Sequence, residues 1–125
     1  MRELRPCLKL WVEAEGRIVM SDYRVRLLEY IDETGSLARA AANMNLSYRR
    51  AWGKVKELEE NLGFPLVQSE VGGPGGGQTT LTPAGEAFVR AYARFQQRMH
   101  DQLQVAFDEE MEAMRAVEPA SPGAS

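Results

Sequence analysis

GSLARAAANMNLSYRRAW, residues 35–52, is the stretch whose reading decides the fold. Gly35 suits the end of one helix, and Ser36 is a natural N-cap for the next. Within that next helix Leu37, Ala40, Ala41 and Met44 recur at spacings of three and four, so one face is apolar and small enough for close packing. Asn45-Leu46 forms a break. Ser47 then caps a third helix with a core stripe of Ala51, Val55, Leu58 and Leu62, stopped by Asn61 and Gly63-Phe64-Pro65. Two short helices joined by a tight turn, the second basic near its start, are the parts of a helix-turn-helix.

At about 100° per residue, that stripe turns Arg49, Arg50, Gly53 and Lys56 to the opposite side of the third helix. A glycine inside a helix costs about 1 kcal/mol relative to alanine. Its presence on a cationic outer face implies a close approach to another surface, for which a DNA major groove is suited. Arg49, Arg50 and Lys54 are candidates to donate to base edges or phosphates, Tyr48 to touch backbone or a thymine methyl, and the helix start with Ser47 to receive a phosphate. Trp52 lies about a quarter-turn from the stripe and reads either as packing or as a nucleic-acid contact. Arg39, with Ser36 before it, reads as a phosphate contact or as a simply solvated cation.

Working outward, Ser21 or Asp22 caps a first helix with Val25, Leu28 and Ile31 on one face. Before it, Leu8, Leu10 and Val12 alternate with Lys9, Trp11 and Glu13, and Glu15-Gly16 separates them from Arg17-Ile18-Val19-Met20. This predicts an N-terminal hairpin. After the third helix, the β-prone runs 66–71 and 78–81 flank a segment of five glycines and a proline, 72–77, and predict a hairpin wing. Gly73, Gly75, Gly76 and Gln78 are its candidate DNA contacts, a plain flexible linker being the other reading. Gly72, Gly77, Gln78 and Thr79 come near the phosphate-cradling pattern G-x-x-x-x-G-K-[ST]. Gln78 stands where lysine is required, and a strand follows where a helix must start, so a wing tip is a better reading than nucleotide binding.

Thr82 and Pro83 open a last helix extending to about Arg115. Phe88, Tyr92, Phe95, Met99, Leu103, Phe107, Met111 and Met114 recur along one stripe of it, at a mean spacing near 3.7 residues. A stripe that long, on a helix of about 48 Å, is expected to meet a second copy of the chain or else to fray beyond the domain. The first six of these residues are the candidate dimer contacts. The expected fold is mainly α with small β hairpins: a winged helix-turn-helix domain over 1–82, a dimerisation helix over 83–116 and a disordered tail over 117–125.

The chain of 125 residues carries a net charge of −3, with 44% apolar and 26% charged residues. That balance suits one globular domain and argues against a protein that coats nucleic acid indiscriminately. The charge is segregated, however. Between Ser36 and Lys56 there are five cations and no acid, while Asp101 onward is strongly acidic. Cys7 is a lone cysteine and His100 a lone histidine, so neither a disulfide nor a Cys/His metal cluster is available. No nucleophile-base pair or carboxylate pair suggests an enzyme, and no cofactor is expected. The N-terminus has no signal-peptide pattern, and no run of about 18 apolar residues could span a membrane. The cytoplasm is the expected location.

The segments Gly35-Ser36-Leu37-Ala38-Arg39-Ala40-Ala41, Leu46-Ser47, Leu58-Glu59, Leu62-Gly63 and Leu81-Thr82-Pro83-Ala84-Gly85 resemble the DNA-binding domain of LysR-type regulators. Ser47-Tyr48-Arg49-Arg50-Ala51-Trp52, with a Gly-rich wing before Leu81-Thr82, resembles more closely the ModE-type, molybdate-dependent regulators. The resemblance spans about Leu8 to Phe95. It implies a homodimer on double-stranded DNA, with paired recognition helices on a palindromic operator and Ser47, Tyr48, Arg49 and Arg50 as contacts. The molybdate-binding domains of that family have no counterpart expected within these 125 residues, and neither a metal ligand nor a small-molecule effector site is expected here. A winged helix reused for protein-protein assembly is the alternative.

Overall fold

Among the described residues, each of the four helices starts on a hydroxyl. Ser21, Ser36 and Ser47 have extended backbone, and their hydroxyls accept from the amides of Arg24, Arg39 and Arg50 at 3.1, 3.1 and 3.2 Å. Thr82 accepts from the Gly85 amide at 2.9 Å. Such caps satisfy an otherwise unpaired amide and contribute about 1 kcal/mol each. The helices so begun, in a computed structural model that describes residues 2–70 and 78–117, are α1 (Asp22–Thr34), α2 (Leu37–Asn43), α3 (Tyr48–Leu62) and α4 (Pro83–Arg115). Gly35 and Gly63 end α1 and α3 in the left-handed conformation, with φ of 68° and 88°. Asn45, φ 56°, makes the break between α2 and α3.

Two antiparallel hairpins complete the fold. β1 (Trp11–Ala14) pairs with β2 (Arg17–Ser21), and β3 (Val67–Glu70) pairs with β4 (Gln78–Leu81). Glu15 and Gly16, both at positive φ, make the two-residue connection of the first hairpin. Its register shifts between Val12 and Glu13. The strand expected to start near Leu8 begins only at Trp11. Leu10 is diverted to the start of α1: its amide donates to the Asp22 carboxylate at 3.2 Å, and its carbonyl accepts from the Asp22 amide at 3.2 Å.

The chain divides into two units, Lys9–Gln96 and Met1–Leu8 with Gln97–Ser125. In the first, Val25, Leu28 and Ile31 of α1 meet Leu37, Ala40 and Ala41 of α2 and Ala51, Val55 and Leu58 of α3. Leu27, unread as core in the sequence, is also buried. This unit takes in the start of α4 as far as Gln96, and Val89 and Tyr92 of α4 belong to its core. In the second unit, Arg2, Glu3 and Leu4 line a cavity of about 330 Å3 together with Phe107, Met111 and Arg115. Of the expected tail, only Val117 lies within the described residues.

Tyr92 corrects one expectation. Placed in the stripe awaiting a partner, it is only 4% exposed within its own unit. Its hydroxyl lies 2.9 Å from both the Leu10 carbonyl and the Asp22 carboxylate, which also accepts from Gln96 at 2.8 Å. Burial, and then the Asp22 carboxylate, push the phenol well above its ordinary pKa. Phe88 likewise packs on the core, edge-on to Phe64 at 6.2 Å.

Two glycines behave oppositely. A Cβ on Gly85 would run into the Leu66 carbonyl oxygen and its backbone, whereas one on Gly53 meets nothing within 4 Å. Gly85→Ala is expected to lower stability by about 1–3 kcal/mol or more, and Gly53→Ala to raise it by about 0.5–1 kcal/mol. Thermal denaturation followed by circular dichroism checks both signs. Tyr92→Phe, which removes the one proton that the Leu10 carbonyl and the Asp22 carboxylate share, is expected to cost about 1–2 kcal/mol. A melting temperature unchanged from the wild type would show that the hydroxyl is dispensable.

Candidate nucleic-acid interface

The back of α3 decides what its front can present. Ala51, Val55 and Leu58 are buried against α1 and α2, which leaves Tyr48, Arg49, Arg50, Gly53 and Lys56 exposed, as their spacing predicts. Tyr48 is 58% exposed. Among the described residues, Arg49 and Arg50 make no ion pair, and neither does Arg39, exposed on α2. Three guanidinium groups are therefore available on the two helices of the turn. The hydroxyls of Ser36 and Ser47 accept at the helix starts, and each still carries a proton to donate.

The lysines are less free than the sequence suggests. Lys56 Nζ lies 3.1 Å from Glu59 Oε1 and 4.4 Å from the centroid of the Trp52 ring. The window of cations without acids thus closes at its end, because Glu59 sits one turn on. Lys54 is half-buried, with Nζ 5.4 Å from the Tyr23 ring centroid. Trp52 is itself half-buried and packs against the core. Arg24 of α1 reaches Glu57 at 3.3 Å, so that acid on α3 faces a cation of its own domain.

The wing's strands sit beside the helix-turn-helix through named bonds. Thr79 donates its amide to the Gly35 carbonyl at 3.0 Å. Gln78 lays its side chain on Gly35: a Cβ there would come within 3.0 Å of the Gln78 amide nitrogen. Gln78, a candidate DNA contact by sequence, is exposed, and it also covers the turn that ends α1. Gly73, Gly75 and Gly76 lie outside the described residues. Between the hairpin and the helices runs an open cleft of about 320 Å3, lined by Ser36, Leu37, Ala38, Tyr48, Ser69, Glu70, Gln78 and Thr79. Its lining is rich in hydroxyl and amide groups, which suit a polar backbone better than an apolar ligand.

Three hydrogen-bonding roles are not legible in the sequence. Glu59 accepts from the amides of Leu66 and Val67 at 2.7 and 3.2 Å. Asn61 donates to the Ile18 carbonyl at 2.8 Å and fastens the first hairpin to α3. Asp22 gathers Leu10, Tyr92 and Gln96. A signal existed for Glu59: an acid near a helix C-terminus opposes the helix dipole and calls for a compensating donor. Among the described residues, no group of His, Cys, Asp and Glu could hold a metal ion, and no helix is long and apolar enough to cross a membrane.

This arrangement has counterparts among known proteins. The chain is 44% identical over 73 residues to the molybdenum-pterin-binding protein MopB of Rhodobacter capsulatus, covering 58% of this chain and 27% of that protein. It is 36% identical over 92 residues to the molybdenum transport protein ModE of Azotobacter vinelandii, covering 74% and 34%. It is 30% identical over 97 residues to the DNA-binding transcriptional dual regulator ModE of Escherichia coli K12, covering 75% and 37%. The chain thus spans about a third of the length of these relatives. A crystal structure of the BenM DNA-binding domain with benA site 1 DNA superposes with a TM-score of 0.51 at 22% identity, over 71% of this chain and 92% of that one, and shares the fold. Residues 23–86, just over half of the chain, match the family described as bacterial regulatory helix-turn-helix protein, lysR family, and the chain belongs to that family.

Proposed function

We propose that the chain is a sequence-specific DNA-binding transcriptional regulator of the ModE type, acting in the cytoplasm as a homodimer on a palindromic operator. The observation that carries this reading is the outward face of α3. Arg49 and Arg50 are exposed at its first turn, without an ion pair among the described residues, on a helix anchored from behind by Ala51, Val55 and Leu58. A guanidinium so placed can donate two parallel bonds to a guanine edge. Ser36, Arg39, Ser47 and Tyr48 lie at or near the starts of the same two helices and serve the phosphates and the groove rim. Molybdenum or tungsten metabolism is the proposed setting, and the names of the relatives support molybdenum.

Dimerisation rests on the outer part of α4. With Tyr92 and Phe88 packed at home, Phe95, Met99, Leu103 and Phe107 remain the proposed contacts. Phe95 is exposed and the other three are half-buried. Two-fold pairing would set two copies of α3 in successive major grooves, with half-sites about one helical turn or a multiple apart.

Selection of bound sequences from random DNA with the purified chain tests the reading, and a pool that never enriches would end it. On an enriched duplex, Arg49→Ala and Arg50→Ala are expected to lose about 1–3 kcal/mol of discrimination between that duplex and random DNA. Arg39→Ala is expected to weaken both alike. Gly53→Ala, although more stable, is expected to bind more weakly if the helix backbone approaches the groove there. Fluorescence anisotropy across salt concentrations is expected to give a log-log slope on the order of −5 to −9, corresponding to about 6–10 neutralised phosphates. A slope near zero would contradict a phosphate-borne interaction.

A further inference from the structure

Glu59 is an acid in the last turn of α3, where the helix dipole disfavours it. Its side chain is only 10% exposed. Oε2 accepts from the amides of Leu66 and Val67 at 2.7 and 3.2 Å, and Oε1 lies 3.1 Å from Lys56 Nζ. Leu66 is fully buried, and Val67 is the first residue of β3. One carboxylate on the proposed recognition helix therefore holds the backbone where the chain turns into the wing. Three residues separate the end of α3 from Leu66, and Gly63, in the left-handed conformation, opens that turn. Without the carboxylate, two amides in a buried setting would lose a charged acceptor, and the turn would be free to choose other pitches.

We infer that Glu59 is a positioning residue for DNA binding: it sets the pitch of the β3–β4 hairpin against α3, so that both reach one duplex together. This rests on the DNA-binding reading above. Glu59 does not itself touch DNA, since its oxygens face inward to backbone amides and to Lys56. Lys56, drawn toward Glu59 and Trp52, belongs to this clamp before it belongs to any phosphate. Neighbouring Glu60 is exposed and is the natural control.

The test uses the full chain carrying Glu59→Gln, Glu59→Ala or Glu60→Ala. Amide hydrogen exchange without DNA reads the clamp directly. Glu59→Ala is expected to speed exchange at Leu66 and Val67 about tenfold or more, while Glu60→Ala leaves it unchanged. Hydroxyl-radical footprinting on a duplex enriched by the wild-type chain reads the consequence. Glu59→Ala is expected to lose protection at the flanks and to flatten the salt slope by about one to two phosphates, with the central protection retained. Glu59→Gln, whose amide oxygen still accepts, is expected to fall between the two and keeps the test valid if Glu59→Ala fails to fold. Unchanged exchange at both amides, or central and flanking protections fading in parallel, would overturn the inference. Should the wild-type chain enrich no sequence, the DNA-binding reading fails and this role with it, while the exchange result still reports whether the clamp exists.

Discussion

Leu66 is where α3, the β3–β4 hairpin and α4 meet, and the meeting depends on backbone. Its amide donates to Glu59 of α3, its carbonyl accepts from the Thr82 amide at 2.9 Å, and its side chain is fully buried. The same carbonyl lies so close to α4 that only glycine fits at position 85. Thr82 adds a bond from its hydroxyl to the Pro65 carbonyl at 2.8 Å while accepting from the Gly85 amide. Several groups are thus satisfied at once within a buried space, where an unmatched polar group would cost about 1–3 kcal/mol. The hairpin cannot shift along α4 without breaking this set.

Around α3 the charges divide into two classes by their neighbours. Glu57 and Glu59 answer to Arg24 and Lys56, Lys54 stands over Tyr23, and Trp52 backs Lys56. The Arg24–Glu57 pair and Lys54 over Tyr23 tie α3 to α1, while Lys56 is held within α3 itself by Glu59 and Trp52. Arg39, Arg49 and Arg50 stand apart among the described residues. A net charge of −3 is therefore compatible with a locally cationic face, since the field near a surface follows the nearest charges once salt screens the distant ones.

Most of the fold was legible because its signals are local. A hydroxyl before a helix and a glycine after it act over three or four residues, and Ser36, Ser47, Gly35 and Gly63 could be read with no knowledge of tertiary contacts. The stripe Ala51, Val55, Leu58 was enough to turn Arg49 and Arg50 outward. What escaped was long-range and aimed at backbone: Asp22 to Tyr92 across 70 residues, and Asn61 to Ile18 across 43. Composition carries no mark of such bonds. Tyr92 was misread for a related reason, as periodicity along α4 states which residues share a face but not where along the helix its own domain stops covering that face. Leu27 escaped because α1 is enclosed beyond the single stripe that its spacing advertised.

The four hydroxyl caps share one geometry, and the residue three positions on is Arg24, Arg39, Arg50 or Gly85. In every case the bond is made to the main-chain amide, so the side chain at that position takes no part in starting the helix. Where the backbone of a neighbour crowds in, as at Gly85, nothing larger is admitted; where the surface is open, as at Arg39 and Arg50, substitution leaves helix initiation untouched. Replacing the side chain of Arg39 or Arg50 can accordingly alter the charge of the outer face while the hydroxyl-to-amide bond that starts each helix is kept.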